Sequence, residues 1–189
     1  MRLTSQPRAA GLLQGYVRFS GRVAEAGGAD DTVWIDVPEH VAAAVTERLD
    51  PWVPWLLPHA FASQQELVLD GPVDHELLRN CHELMEIWSR WQPGRRPIRV
   101  HAEPADPRPG QAPARTGLFF TGGVDSFFTL YHHDEMVRGH PEWRERPVDD
   151  IAYVWGFDIP LANAPAFECK RITVERIAAD TGKTPIVLV

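Results

Sequence analysis

Between Gly117 and Leu130 the chain reads Gly-Leu-Phe-Phe-Thr-Gly-Gly-Val-Asp-Ser-Phe-Phe-Thr-Leu. A short apolar run stops at a hydroxyl residue and two glycines, then resumes with residues that suit a helix. The pattern predicts a buried strand over 117–120, a tight turn, and a helix over about 124–134 whose N-terminus faces the turn. Such a turn is a ready anion site, because unpaired backbone N–H groups and the positive end of the helix dipole converge on it. Gly122 and Gly123 let the backbone approach a bulky oxyanion with no Cβ in the way. Thr121 and Ser126 add hydroxyls at the two edges, so the expected ligand is a phosphate chain.

The segment opens a longer alternation. A nearly continuous apolar run from Ile151 to Gly156 predicts a strand covered on both faces. A helix over about 166–181 and a strand over 185–189 follow. Strand, helix, strand, helix, strand is the signature of a parallel sheet with crossover helices. Gly182-Lys183-Thr184 looks like the tail of a P-loop, but Ile177 stands where that motif needs glycine. Gly182 reads instead as the glycine that ends a helix, with Lys183 near its negative pole.

The first hundred residues read differently. Residues 15–20 and 32–37 alternate apolar and polar side chains, so each predicts a half-buried strand. The turn residues Gly27-Gly28-Ala29-Asp30-Asp31 between them suggest a hairpin-like pair. Pro38 suits the first turn of a helix reaching about Leu49. Three prolines and two tryptophans in 51–62 predict an irregular crossing. A short strand over 66–69 ends at Gly71-Pro72, and Asp74 can cap the next helix. On that helix Leu77, Leu78, Cys81, Leu84, Met85 and Trp88 form one apolar stripe. Pro97 to His101 predicts another strand. The expected fold class is therefore α/β, a parallel sheet with crossover helices, preceded by a small α+β domain. Its expected boundaries are 1–102 for the first domain, a Pro-rich linker or loop over 103–116 (Pro104, Pro107, Pro109, Pro113), and 117–189 for the second.

With 44% hydrophobic residues and seven Trp the chain can build a core, and its net charge of −7 argues against a general nucleic-acid binder. Cys81 and Cys169 lie far apart with no C-x-x-C pair, which fits a reducing compartment and no thiolate zinc site. No signal-peptide core is visible near the N-terminus and no apolar run approaches the roughly 20 residues of a membrane span. The expected location is cytoplasmic.

Thr121-Gly122-Gly123-Val124-Asp125-Ser126 resembles the pyrophosphate loop of the ATP pyrophosphatases, written Ser-Gly-Gly-x-Asp-Ser after the first strand of an α/β sheet. That superfamily includes GMP synthetase, asparagine synthetase, argininosuccinate synthetase, 7-cyano-7-deazaguanine synthase and the tRNA thiolation enzymes. Thr121 for Ser is the one departure within the six positions, and it keeps the hydroxyl. The resemblance covers about residues 115–189. It implies ATP and Mg²⁺ as cofactors, a small-molecule substrate, and an AMP-forming ligase or amidotransferase. The loop would hold the β- and γ-phosphates while an oxygen nucleophile attacks the α-phosphorus, and the adenylate would then meet an amine, ammonia or sulfur nucleophile. Sheets of this family resemble five-stranded layers, whereas Val189 ends what reads as a third strand. The chain is thus expected to be a fragment of a longer protein or a truncated product, with further phosphate ligands and the acceptor pocket elsewhere.

On this resemblance Gly122, Gly123 and Val124 would contribute mainly backbone N–H groups. Asp125 beside a triphosphate is repulsive unless Mg²⁺ intervenes; alternatively its carboxylate accepts loop N–H groups and shapes the turn. Asp158 lies at the carboxyl end of the second strand, where ligands bind in open α/β sheets. It would accept from a ribose hydroxyl or ligate magnesium, or serve only as a turn residue before Pro160. Gly156 and Phe157 would border the adenine by position. His132 and His133 are expected to be exposed near the far end of the loop helix, and no general base can be named. Cys169, alone on a helix, reads as a small core residue, which disfavours sulfur transfer. The four zinc-binding cysteines of 7-cyano-7-deazaguanine synthase are absent. The Trp52/Trp55 and Trp88/Trp91 pairs read as core. Two other functions stay open: a non-catalytic nucleotide-binding or interaction module, and tRNA base modification. The N-terminal domain would be the place for a partner protein or a homo-oligomer contact.

Overall fold

A computed structural model describes residues 1–25, 27–28, 30–106, 115–137, 139–140 and 147–189. The chain is mixed α/β, and its contacts divide it into two units. Unit 1 comprises 1–11, 17–35 and 39–109; unit 2 comprises 12–16, 36–38 and 110–189.

Unit 1 is built on β1 (Arg2–Ser5), β2 (Ala9–Ala10), β3 (Tyr16–Ala24) and β4 (Asp31–Pro38), except that Tyr16 and residues 36–38 belong to unit 2, followed by α1 (Glu39–Ala42), α2 (Trp52–Ser63), β5 (Leu67–Asp74), α3 (His75–Trp91) and β6 (Val100–Ala105). The strands run in the order β2-β3-β1-β5-β6, with β4 also paired to β3. β1 is antiparallel to β3 but parallel to β5, and β6 is parallel to β5. The hairpin-like pairing of β3 and β4 follows the expectation, although Ala29 of its turn lies outside the described residues.

Three expectations for this unit fail, each for a physical reason. The helix from Pro38 to about Leu49 shrinks to α1, and Pro38 itself ends β4. The chain after α1 is pinned to β5 instead: Leu49 N–H donates to the Pro72 carbonyl at 2.9 Å, and Asp50 accepts from Asp74 N–H at 2.6 Å. Arg48 adds ion pairs to Asp50 and Asp74. Conversely, the proline-rich crossing at 51–62 is a regular helix. Pro51 is its N-cap and Pro54 falls in the first turn, where a missing N–H costs nothing; only Pro58 removes an intrahelical bond. That loss is offset because α2 buries Trp52, Val53, Leu56, Leu57, Ala60 and Phe61 in one core with Leu3, Leu67 and Met85. Finally, β5 does not stop at Gly71-Pro72. It shifts register between Val68 and Pro72 and continues to Asp74, and its partner β6 starts later than expected and runs through Pro104. Part of the expected linker is therefore strand, while Pro107, Pro109 and Pro113 lie outside the described residues.

Asp74 caps α3 as expected, accepting from Glu76 N–H at 2.8 Å and Leu77 N–H at 3.0 Å. Of the predicted stripe, Cys81 and Met85 are buried and Leu77, Leu78 and Trp88 pack against the core, but Leu84 is exposed. The tryptophan pairs also split. Trp52 is buried and Trp88 packs on Phe61 at 5.4 Å between ring centroids, whereas Trp55 and Trp91 face solvent.

Unit 2 is β7 (Gly117–Phe119), α4 (Val124–Tyr131), a five-residue π-helical stretch (His132–Met136), β8 (Asp150–Val154), α5 (Ala164–Thr181) and β9 (Thr184–Leu188). The three strands are parallel in the order β7-β8-β9. At the end of the sheet Asp36 and Val189 exchange both backbone hydrogen bonds. The register sets Phe120, Tyr153 and Trp155 on one face of this sheet. That face meets α4 through Phe120 and Phe127 (5.0 Å) and α5 through Trp155 and Phe167 (stacked in nearly parallel planes, 4.1 Å). The opposite face carries Phe119, Ala152, Val154 and Ile186, all exposed or half-buried, so the sheet is packed by helices on one side. The expectation of a strand covered on both faces does not hold for β8.

Gly182 ends α5 in the left-handed conformation (φ +67°). Lys183 follows that helix end, as expected, but turns inward. Its side chain is 2% exposed and its ammonium bonds Asp134 at 2.6 Å and the Val148 carbonyl at 2.7 Å.

Candidate functional site: the Gly-Gly turn of unit 2

β7 delivers the chain to the turn with Phe120 buried beneath it, its N–H donating to the Ala152 carbonyl at 2.7 Å. Gly122 has φ +73°, a conformation that glycine adopts without strain. Gly123 is the N-cap of α4, and no side chain caps the helix. The first amide bonded within the helix is that of Phe127, to the Gly123 carbonyl at 3.1 Å. The amides of Val124, Asp125 and Ser126 therefore lack intrahelical acceptors, as first-turn amides do. A Cβ built on Gly123 meets nothing nearer than the Thr121 hydroxyl at 3.6 Å. The space over Gly123 is thus open to a ligand.

The predicted residues differ in what they offer. Thr121 and Asp125 are exposed, and Val124 is 85% exposed. Ser126 is buried and spends its proton on the Gly123 carbonyl at 2.9 Å, closing the turn. Its hydroxyl is a brace more than a free donor. The Asp125 carboxylate takes no hydrogen bond or ion pair among the described residues, so it is not what shapes the turn. Helix position and exposure leave it available to a cation.

Gly156, Phe157 and Asp158 lie in the turn after β8. Gly156 has φ +110° and donates to the Ile159 carbonyl at 3.1 Å, and the Trp155 indole N–H bonds the Pro160 carbonyl at 3.2 Å. This fixes Phe157 and Asp158 outward, both exposed. Thr121, Phe157 and Asp158 come together around a hollow of ≈ 50 Å³ with Phe119, Phe120 and Tyr153. Gly156 is not part of its lining. Larger hollows occur in unit 1, of ≈ 390 and ≈ 510 Å³, and none of the predicted residues lines them.

Two residues went unnoticed in the sequence. Tyr153 is 1% exposed, and its hydroxyl has no hydrogen-bond partner among the described residues. Burial, then the Asp158 charge, pushes that hydroxyl above its ordinary range. Lys170 of α5 brings its ammonium to 3.0 Å from the position of a Gly122 Cβ, with Phe120 bordering the same point at 3.8 Å. The one sequence signal for Lys170 was its place three residues after the buried Phe167, on the sheet-facing side of α5.

Cys169 is exposed and not part of the core. His132 and His133 are half-buried instead of exposed, with His132 stacked near Phe128 at 6.0 Å. Among the described residues no group of three or more His, Cys, Asp or Glu could hold a metal, and no helix is long and apolar enough to cross a membrane. No protein-family model, curated protein or solved structure matches the chain.

Proposed function

We propose that unit 2 carries the pyrophosphate loop of an ATP-binding domain of the PP-loop class. There it would serve adenylation of a small-molecule carboxylate or carbonyl, with pyrophosphate release ahead of C–N bond formation. The observation that carries this reading is the turn itself: Thr-Gly-Gly-Val-Asp-Ser sits at the carboxyl end of a parallel strand, leads directly into a helix, and leaves the space over Gly123 clear.

The chemistry follows from what these residues hold. The first-turn amides of α4 and the Thr121 hydroxyl would receive the non-bridging oxygens of the leaving pyrophosphate, where negative charge accumulates as the α-phosphorus is attacked. Asp125 fits magnesium, because that ion takes one or two carboxylates and completes its shell with phosphate oxygens and water. When bound, magnesium supplies charge neutralisation between carboxylate and phosphates. Asp158 and Phe157 would meet the nucleoside, the carboxylate accepting from a ribose hydroxyl and the ring lying against the base. The hollow they line is far smaller than the roughly 300 Å³ of the smallest ordinary ligand pockets. A nucleotide would therefore lie across the strand ends.

Calorimetric titration of ATP with Mg²⁺ into the chain tests this, with Gly123→Val as control. The expected result is a dissociation constant on the order of micromolar, lost in Gly123→Val although that variant folds, since its added Cβ meets no protein atom within 3.6 Å. Asp125→Ala should abolish the magnesium-dependent part of the affinity. A folded wild-type chain that binds no ATP would remove the nucleotide reading and leave an interaction module in its place.

A further inference from the structure

We propose that Lys170 holds the pyrophosphate end of the nucleotide, so that the loop's cation comes from the helix after β8 and not from the loop itself. The inference rests on the phosphate-loop reading above. Backbone amides carry only partial charges, and a triphosphate at the α4 terminus leaves Asp125 facing like charge. A full positive charge beside the loop would resolve that conflict together with magnesium.

Lys170 is placed for the task. Its ammonium stands 3.0 Å from the Cβ position of Gly122, so glycine there both supplies the left-handed turn and leaves room for the lysine tip. The side chain is half-buried, which limits its freedom. It forms no ion pair or hydrogen bond among the described residues. The neighbouring acids on its own helix are already committed: Arg171 pairs with both Glu168 and Glu175. Glu168 is held below the usual carboxylate range by its hydrogen bond from Arg171. An ammonium so positioned, with adjacent carboxylates neutralised by another residue, is a charge awaiting an anion. Nearby, the hydroxyl of Tyr153 is buried and has no hydrogen-bond partner among the described residues. Tyr153 lines the hollow shared by Thr121 and Asp158, and Phe120 borders both that hollow and the Lys170 ammonium.

The test is titration of inorganic pyrophosphate and of ATP with Mg²⁺ into the wild-type chain, Lys170→Met, Lys170→Arg and Gly123→Val. Loss of a charge-assisted contact predicts that Lys170→Met weakens both ligands by about tenfold to a hundredfold. It should also flatten the dependence of pyrophosphate affinity on ionic strength, and Lys170→Arg should recover most of both. The thermal midpoint of Lys170→Met should stay close to the wild-type value, because methionine keeps the apolar stem and the lysine makes no hydrogen bond or ion pair among the described residues. Wild-type affinity in Lys170→Met, with binding lost in Gly123→Val, overturns the role of Lys170 and leaves the loop reading intact. Failure of the folded wild-type chain to bind either ligand overturns both.

Discussion

The two units spend their apolar residues differently. Unit 1 gathers most of its apolar side chains into one core, where Leu3, Val53, Leu57, Phe61, Leu67 and Val73 are all buried almost completely. Among the described residues its exposed large hydrophobics are Trp55, Leu84, Ile87 and Trp91. In unit 2 the exposed set includes Phe119, Val124, Phe127, Phe128, Tyr131 and Phe157, which lie along β7, on the helix behind the turn and in the turn after β8. A three-stranded sheet packed by helices on one side cannot bury the aromatic residues of both faces. Unit 1 thus reads as the part whose residues are chosen for packing. Unit 2 keeps apolar and polar groups at its strand ends that its own packing does not explain, and the ligand binding proposed above would account for those at the turn.

The sharpest way to break this contrast is to weaken each core and ask which unit responds. Phe61→Ala removes a buried ring that packs on Trp88, and large-to-small changes of this kind cost about 3–5 kcal/mol. Hydrogen exchange read peptide by peptide should show lost protection across β1, α2, β5 and α3, with β7–β9 unchanged. Equal loss in both units would mean they fold as one and would end the comparison. Next in size is Lys183→Met, which removes the ammonium bonded to Asp134 and the Val148 carbonyl. Breaking a buried pair by removing one partner costs about 3 kcal/mol. Here protection should fall in β8, β9 and the stretch His132–Met136 alone.

The smallest effect concerns Asp74, whose carboxyl is held below its ordinary value chiefly by the Leu77 N–H, helped by the Glu76 N–H and the Arg48 charge. A depressed folded-state value means the cap contributes fully above the unfolded carboxyl range near pH 4, and is lost as pH falls through the lower folded value. Asp74→Ala should therefore loosen the first turn of α3 at neutral pH. It should make no difference at a pH low enough to protonate Asp74 in the wild type. Amide exchange at Glu76 and Leu77 measures it, and a difference that persists in acid would show that the side chain acts by packing and not by charge.

How much was legible beforehand depends on how local each feature is. The alternation in unit 2 could be read because each strand and helix carries its own period, and Gly182 because a left-handed helix end needs only its own residue. Asp74 is similar, since the cap and the amides it binds are near neighbours in sequence. The helix at 52–63 was illegible because proline statistics speak of isolated helices, while α2 is held by the core it enters. The helix expected over 38–49 failed for the converse reason: contacts of Leu49 and Asp50 with β5 outbid local preference. Trp55, Trp91 and Cys169 were assigned to the core on residue type, and type does not say which face a neighbour covers.

By itself, the sequence determined the strand–turn–helix chemistry of residues 117–130, the glycines that make its turn, and the parallel alternation that follows. These depend on backbone conformation and on side chains within a few residues of one another. Only the tertiary structure decided which hydroxyl is spent on bracing the turn and that Asp125 is left unbonded. It also brought Asp158 and Tyr153 to one hollow with Thr121, and set the ammonium of Lys170 beside Gly122. The meeting of Asp158, Tyr153 and Lys170 with the turn arises from the packing of α5 and β8 against β7, where electrostatic partners are chosen by distance in space, and distance in space is not written in residue order.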